Sequence, residues 1–145
     1  MAGLTTHLVI VFVFGIAIWI FSKKWYYGAA FGLGHLIPDL ISFGITGLKQ
    51  KSLNPGVIMT NPWFSPLAAF SHNAFNWLII LLVLWLVFVF LYSFKKIDRK
   101  KFSTYILVLV YFIIGVILHL IVDKLIIEKS YWVWNLWEFL VIIKL

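Results

Sequence analysis

Apolar positions fill four long runs of this chain, and short polar clusters separate them. A hydrocarbon core about 30 Å thick is crossed by roughly 20 residues of helix, and that ruler divides the sequence into four candidate spans. The first runs from Leu8 to Ser22 and stops at Lys23-Lys24. The second, Trp25 to about Leu48, is interrupted by Gly28, Gly32, Gly34, His35, Pro38, Asp39, Gly44 and Gly47, so its polar content needs a reason. A loop from Lys49 to Pro66 follows, marked by the turn signals Asn54-Pro55-Gly56 and Asn61-Pro62. The third span, Leu67 to Phe94, is long enough to cross with tilt. The charged run Lys95-Lys96-Ile97-Asp98-Arg99-Lys100-Lys101 separates it from the fourth, Phe102 to about Ile127. The tail, Ser130 to Leu145, holds Tyr131, Trp132, Trp134 and Trp137 and predicts a short interfacial or half-inserted helix. The expected architecture is an all-α integral membrane bundle of four transmembrane helices plus that short C-terminal helix, with residues 1–145 forming a single domain.

Composition sharpens the picture. Of 145 residues, 63% are hydrophobic and 12% charged, whereas a soluble domain is about half apolar and a quarter charged. A water-soluble globular fold is excluded. The absence of cysteine removes disulfide scaffolds, iron–sulfur clusters and thiolate zinc sites, so any metal must take nitrogen or oxygen ligands. The net charge of +7 sits in short clusters beside apolar runs, which marks membrane topology and not a nucleic-acid footprint. Positive-inside counting puts Lys23, Lys24 and the Lys95 to Lys101 cluster in the cytoplasm, with the N-terminus outside an inner (cell) membrane crossed several times. Lys49, Lys51 and Lys124 fall on the outer side and weaken that bias. No basic stretch precedes the first span, which is expected to stay in the mature protein.

Ionisable groups inside a bilayer are expensive, and they count by default as functional candidates. His35 is followed four residues later by Asp39, and His119 by Asp123. On a helix such pairs share one face. With four spans, His7, His72, His119 and Asp123 fall toward the outer half of the membrane, while His35 and Asp39 lie near the middle of theirs; all can meet in one cavity. Imidazole and carboxylate ligands on facing helices suit zinc first, with manganese or iron as alternatives. The bland reading of each pair is a hydrogen bond within one helix, and for His7, near an interface, an interhelical hydrogen bond outranks ligation. Two pairs plus His72 in one small bundle favour a metal or proton-handling site. Pro38 removes a backbone donor beside these residues and predicts a kink or a fresh helix start. Gly28, Gly32 and Gly34 read as close-packing positions, and Asn76 and Trp77, one turn beyond His72, as cavity-lining candidates. Glu128 and Glu138 are reserve carboxylates.

Three blocks resemble the YdjM-like family of inner-membrane metal-dependent hydrolases associated with LexA control. Leu36-Ile37-Pro38-Asp39-Leu40 is similar to its Leu-Pro-Asp-hydrophobic-Asp block, Phe70-Ser71-His72-Asn73 to its Phe-Thr-His-Ser block, and Gly115 through His119 to Asp123 to its Gly-x-x-x-His-x-x-x-Asp block. Thr6-His7-Leu8 matches a histidine near the family's start. The order of the blocks fits and together they span most of the chain. Departures stand at Ile41, where the family has a second aspartate, and in the second block, which lacks one histidine and an arginine. A two-metal site would then be short of ligands, which leaves one metal, substitution by His35, or lost activity.

The resemblance implies a membrane-embedded hydrolase of an ester or phosphoester, with a lipid-linked substrate suggested by a site reached from the membrane. Its divalent metal, zinc first, would be held by Asp39, His72, His119 and Asp123, with His35 as ligand or supporting partner and His7 as an additional candidate. Asp39 and Asp123 would be the catalytic carboxylates, one orienting or deprotonating water. The rival readings are a protein that relays protons or passes a divalent cation, and an inactive structural membrane protein. Haem ligation is a third option, disfavoured by the aspartate four residues after two of the histidines.

Overall fold

The computed structural model describes residues 4–126, and the expected C-terminal helix, with Glu128 and Glu138, lies outside them. The chain forms α1 (Leu4–Ser22) and α2 (Trp25–Asp39), which runs without a break through a π-helical turn (Leu40–Gly44) into α3 (Ile45–Gln50). Two short helices, α4 (Pro55–Met59) and α5 (Phe64–Ser71), lead to α6 (Ala74–Ser93) and α7 (Arg99–Ile126). Four stretches are long and apolar enough to cross a membrane: Thr5–Ser22, Trp25–Gln50, Ala74–Ser93 and Arg99–Lys124. No strand occurs among the described residues, so the protein is an all-α membrane bundle.

The side chains sort by what they face. Phe12, Ile20, Phe21, Leu82, Phe90 and Val110 are exposed, as lipid-facing positions must be. Buried positions make up 44% of an 18-residue stretch within Trp25–Gln50 against 6% of Thr5–Ser22, which makes α2 the central helix. It packs on α1 on one side and α7 on the other, and α7 packs on α6. Glycine sets how close these helices come, because lipid offers no hydrophobic drive between them and contact must come from tight packing. A Cβ on Gly28 would strike the Gly15 carbonyl, one on Gly34 the Phe112 carbonyl, and one on Gly115 the Phe31 carbonyl. The expected packing role of the α2 glycines is therefore met.

Residue pairing fixes the directions. Gly15 lies against Gly28, Val11 against Gly32 and His7 against His35, so α1 and α2 are antiparallel. Tyr27 stacks on Tyr111 and the Phe31 carbonyl meets Gly115, so α2 and α7 run parallel. Phe88 pairs with Tyr105 and His72 with His119, so α6 and α7 are antiparallel. Both lysine clusters thereby gather at one end of the bundle, and the histidines gather toward the other.

Three local features depart from the expected layout. Pro38 neither kinks the chain into a new helix nor starts one: backbone angles at Leu40 and Ile45 remain right-handed helical, and the distortion is absorbed by the π turn. The Ser42 hydroxyl donates to the carbonyls of Pro38 and Asp39 at 3.2 and 3.3 Å, supplying a partner where the ladder is disturbed. The expected loop contains helices: Asn54 caps α4 by accepting from the Gly56 amide at 3.0 Å, and Asn61 closes the turn before α5 by accepting from the Trp63 amide at 2.9 Å. The third span is broken at His72, where α5 ends and Asn73 caps α6 by accepting from the Phe75 amide at 2.8 Å.

Candidate metal centre

Six ionisable side chains from four helical segments meet at the histidine end of the bundle. His7 comes from α1, His35 and Asp39 from α2, His72 from the α5–α6 junction, and His119 and Asp123 from α7. All four imidazoles and Asp123 are buried, and the Asp39 side chain is the most open of the six at 16%. Ligand atoms of Asp39, His72, His119 and Asp123 lie within 4.8 Å of one another, as do those of His7, His35 and His119. His119 belongs to both groups.

The short link that carries His72 is held by α6 itself. Helix α5 ends inside the protein with unpaired carbonyls, a costly state in lipid. Asn76 donates to the Phe70 carbonyl at 2.8 Å and the Trp77 indole to the Ser71 carbonyl at 2.6 Å. These two residues thus clasp the turn beside the site, and their polar atoms serve the backbone. His72 Nδ1 lies 3.1 Å from the Ala68 carbonyl and 3.0 Å from the Ser71 hydroxyl, which tie that edge of the ring to the end of α5 and leave Nε2 facing the carboxylates.

Geometry around Nε2 of His72 and His119 decides what these atoms can do. The two nitrogens are 3.3 Å apart, and each lies 3.3 Å from Oδ2 of Asp123. Oδ1 of Asp39 is 3.6 Å from His72 and 3.9 Å from His119. Charge-assisted N–H···O bonds run about 2.7–2.9 Å. Two ligands each about 2.0–2.1 Å from a tetrahedral ion lie about 3.3 Å apart. The spacing matches the edges of a coordination tetrahedron better than it matches hydrogen bonds. Oδ1 of Asp39 and Nδ1 of His119 are also buried without a hydrogen-bond partner. A buried cluster of this composition can hold a metal ion.

His7 and His35 occupy the far wall. His35 Nδ1 lies 3.2 Å from the Gly115 carbonyl and its Nε2 lies 3.0 Å from His7 Nδ1. His7 Nε2 reaches Asp123 Oδ1 at 3.1 Å, and its ring stacks on that of His119 with centroids 4.4 Å apart. All six sequence candidates are therefore brought together. The spacing argument captured His35, His119 and the two aspartates; His7, with no acidic partner four residues away, makes the interhelical contacts expected of it, to His35 and Asp123. The Gly115 carbonyl was invisible to it, because nothing in a sequence marks a backbone acceptor.

No family model, curated protein or solved structure matches this chain.

Proposed function

We propose that this protein is a membrane-embedded metal-dependent hydrolase acting on an ester or phosphoester carried by a lipid. The observation that carries this reading is that ligand atoms of His72, His119 and Asp123 lie 3.3 Å from one another, with Asp39 Oδ1 3.6 and 3.9 Å from the two imidazoles. Two imidazoles and two carboxylates suit zinc, with manganese or iron accommodated by added water ligands. When bound, a divalent ion would supply Lewis acidity, and with four protein ligands in place water would join it as a fifth ligand. His72 and His119 hold their side of the site, and Asp123 orients both. Asp39, the most open member, would hold the ion on the side from which water reaches it. Exposed Leu40 and Phe70, sequence neighbours of Asp39 and of the His72 turn, offer apolar surface to a lipid chain. The resemblance to YdjM-like hydrolases supports the same reaction class. Lysine placement supports an inner-membrane location with the N-terminus and the site toward the outer side.

Proton or cation handling draws support from the same buried pairs. Toward Lys24 from His35, Phe31, Ala30 and Tyr27 are buried and Tyr27 stacks on Tyr111, so aromatic and apolar groups follow the cluster along α2. The test is reconstitution in vesicles with a panel of ester and phosphoester lipids. Turnover that requires a divalent ion and is lost in Asp39→Asn supports the hydrolase. Ion or proton flux with no turnover supports the transporter instead.

A further inference from the structure

Both carboxylates of the cluster divide their oxygens between two sets of imidazoles. Asp123 Oδ2 and Asp39 Oδ1 face His72 and His119, as described above. Their other oxygens face His7: Asp123 Oδ1 at 3.1 Å and Asp39 Oδ2 at 3.9 Å from its Nε2. Each aspartate therefore stands between two nitrogen sets, the arrangement of a bridging ligand.

Hydrogen-bond direction identifies the ligating atom of His7. The Gly115 carbonyl can only accept, so His35 Nδ1 carries the hydrogen at that 3.2 Å contact, and in the neutral ring His35 Nε2 is an acceptor. It takes the hydrogen of His7 Nδ1 at 3.0 Å. A neutral His7 then has its lone pair on Nε2, directed at carboxylate oxygens, where a cation between them would satisfy both; a protonated His7 would donate there instead. A ligating histidine usually anchors its other nitrogen on an acceptor, and His35 and Gly115 provide that support.

We propose that the cluster binds two divalent ions bridged by Asp39 and Asp123, the second on His7 Nε2, with His35 holding His7 and not ligating. This inference rests on the hydrolase reading and specifies it. His7 supplies the nitrogen that the sequence blocks lacked. Two such ions would supply Lewis acidity on both sides of a phosphoryl group, so among the proposed substrates this pair favours phosphoesters. The second position would have three protein ligands, His7 Nε2, Asp39 Oδ2 and Asp123 Oδ1.

The test uses the full chain in detergent, stripped by chelator and titrated with Mn²⁺ alone. The wild type is expected to saturate at two ions per chain and give an exchange-coupled paramagnetic resonance spectrum. His7→Leu is expected to bind one ion and give an isolated-ion spectrum. A wild type that saturates at one ion with an isolated-ion spectrum overturns the pair, whatever the fate of the variant, and leaves the hydrolase reading standing. Equal stoichiometry in wild type and His7→Leu also overturns the assignment of His7. Binding of no ion by the wild type removes both.

Discussion

Nε2 of His7 and Oδ1 of Asp123 lie 3.1 Å apart although 116 positions separate them, so the first and last described helices meet at one carboxylate. Around that contact, buried polar groups tie together α1, α2 and α7 where the sheath of the bundle is otherwise apolar. Interhelical polar contacts are the main directional force between helices in lipid, and here they also compose the site.

An ion that bridges three helices should stabilise the fold. Divalent metal at about 100 times its dissociation constant adds about 2.7 kcal/mol. The thermal midpoint in detergent is expected to rise with Zn²⁺ or Mn²⁺, to fall on chelation, and to recover on re-addition. A midpoint indifferent to both treatments would show that the cluster holds itself together without an ion.

Trp77→Phe keeps the ring and deletes the donor to the Ser71 carbonyl. Leaving that buried carbonyl unpaired costs about 1–3 kcal/mol. Because the bond positions the turn that carries His72, metal affinity is expected to drop by about 10-fold while helix content by circular dichroism stays unchanged. Isothermal titration with Zn²⁺ reads the affinity directly.

Gly115→Ala raises helix propensity by about 1 kcal/mol, so any loss must come from packing. Its Cβ would meet the Phe31 carbonyl and crowd the His35 amide, prising α7 from α2. Loss of the monodisperse species and of metal is expected. Gly44→Ala is the control, since its Cβ meets only the Leu40 side chain at 4.0 Å and should be tolerated.

The chain contains no cysteine, so single cysteines report topology without background. Ser93→Cys, near the Lys95 cluster, should be labelled by a membrane-impermeant thiol reagent only after the cells are broken. Ser52→Cys, beside Lys51, should be labelled in cells whose inner membrane is intact. The reverse pattern would invert the orientation.

Much of this was legible in the residues. Four apolar runs gave four crossing helices, and the four-residue spacings of His35 to Asp39 and His119 to Asp123 marked the inward faces of α2 and α7. The pairs do not work as self-contained units, however: His35 bonds Gly115 and His7, across helix boundaries that spacing cannot see. The break before α6 could have been read from Asn73, a good capping residue ahead of an apolar run. The π turn after Pro38 had no such signal, because it is one of several ways a helix can accommodate a proline, and packing against α5 and α7 selects among them.

Elemental analysis of detergent-purified wild type beside His119→Ala and Asp123→Asn addresses the central claim most directly. Purified wild type should carry stoichiometric divalent metal, with zinc expected first, and both variants should lose it while keeping wild-type helix content. Equal metal in all three proteins, or none in the wild type after growth and purification with the ion supplied, would contradict a metal centre at this cluster.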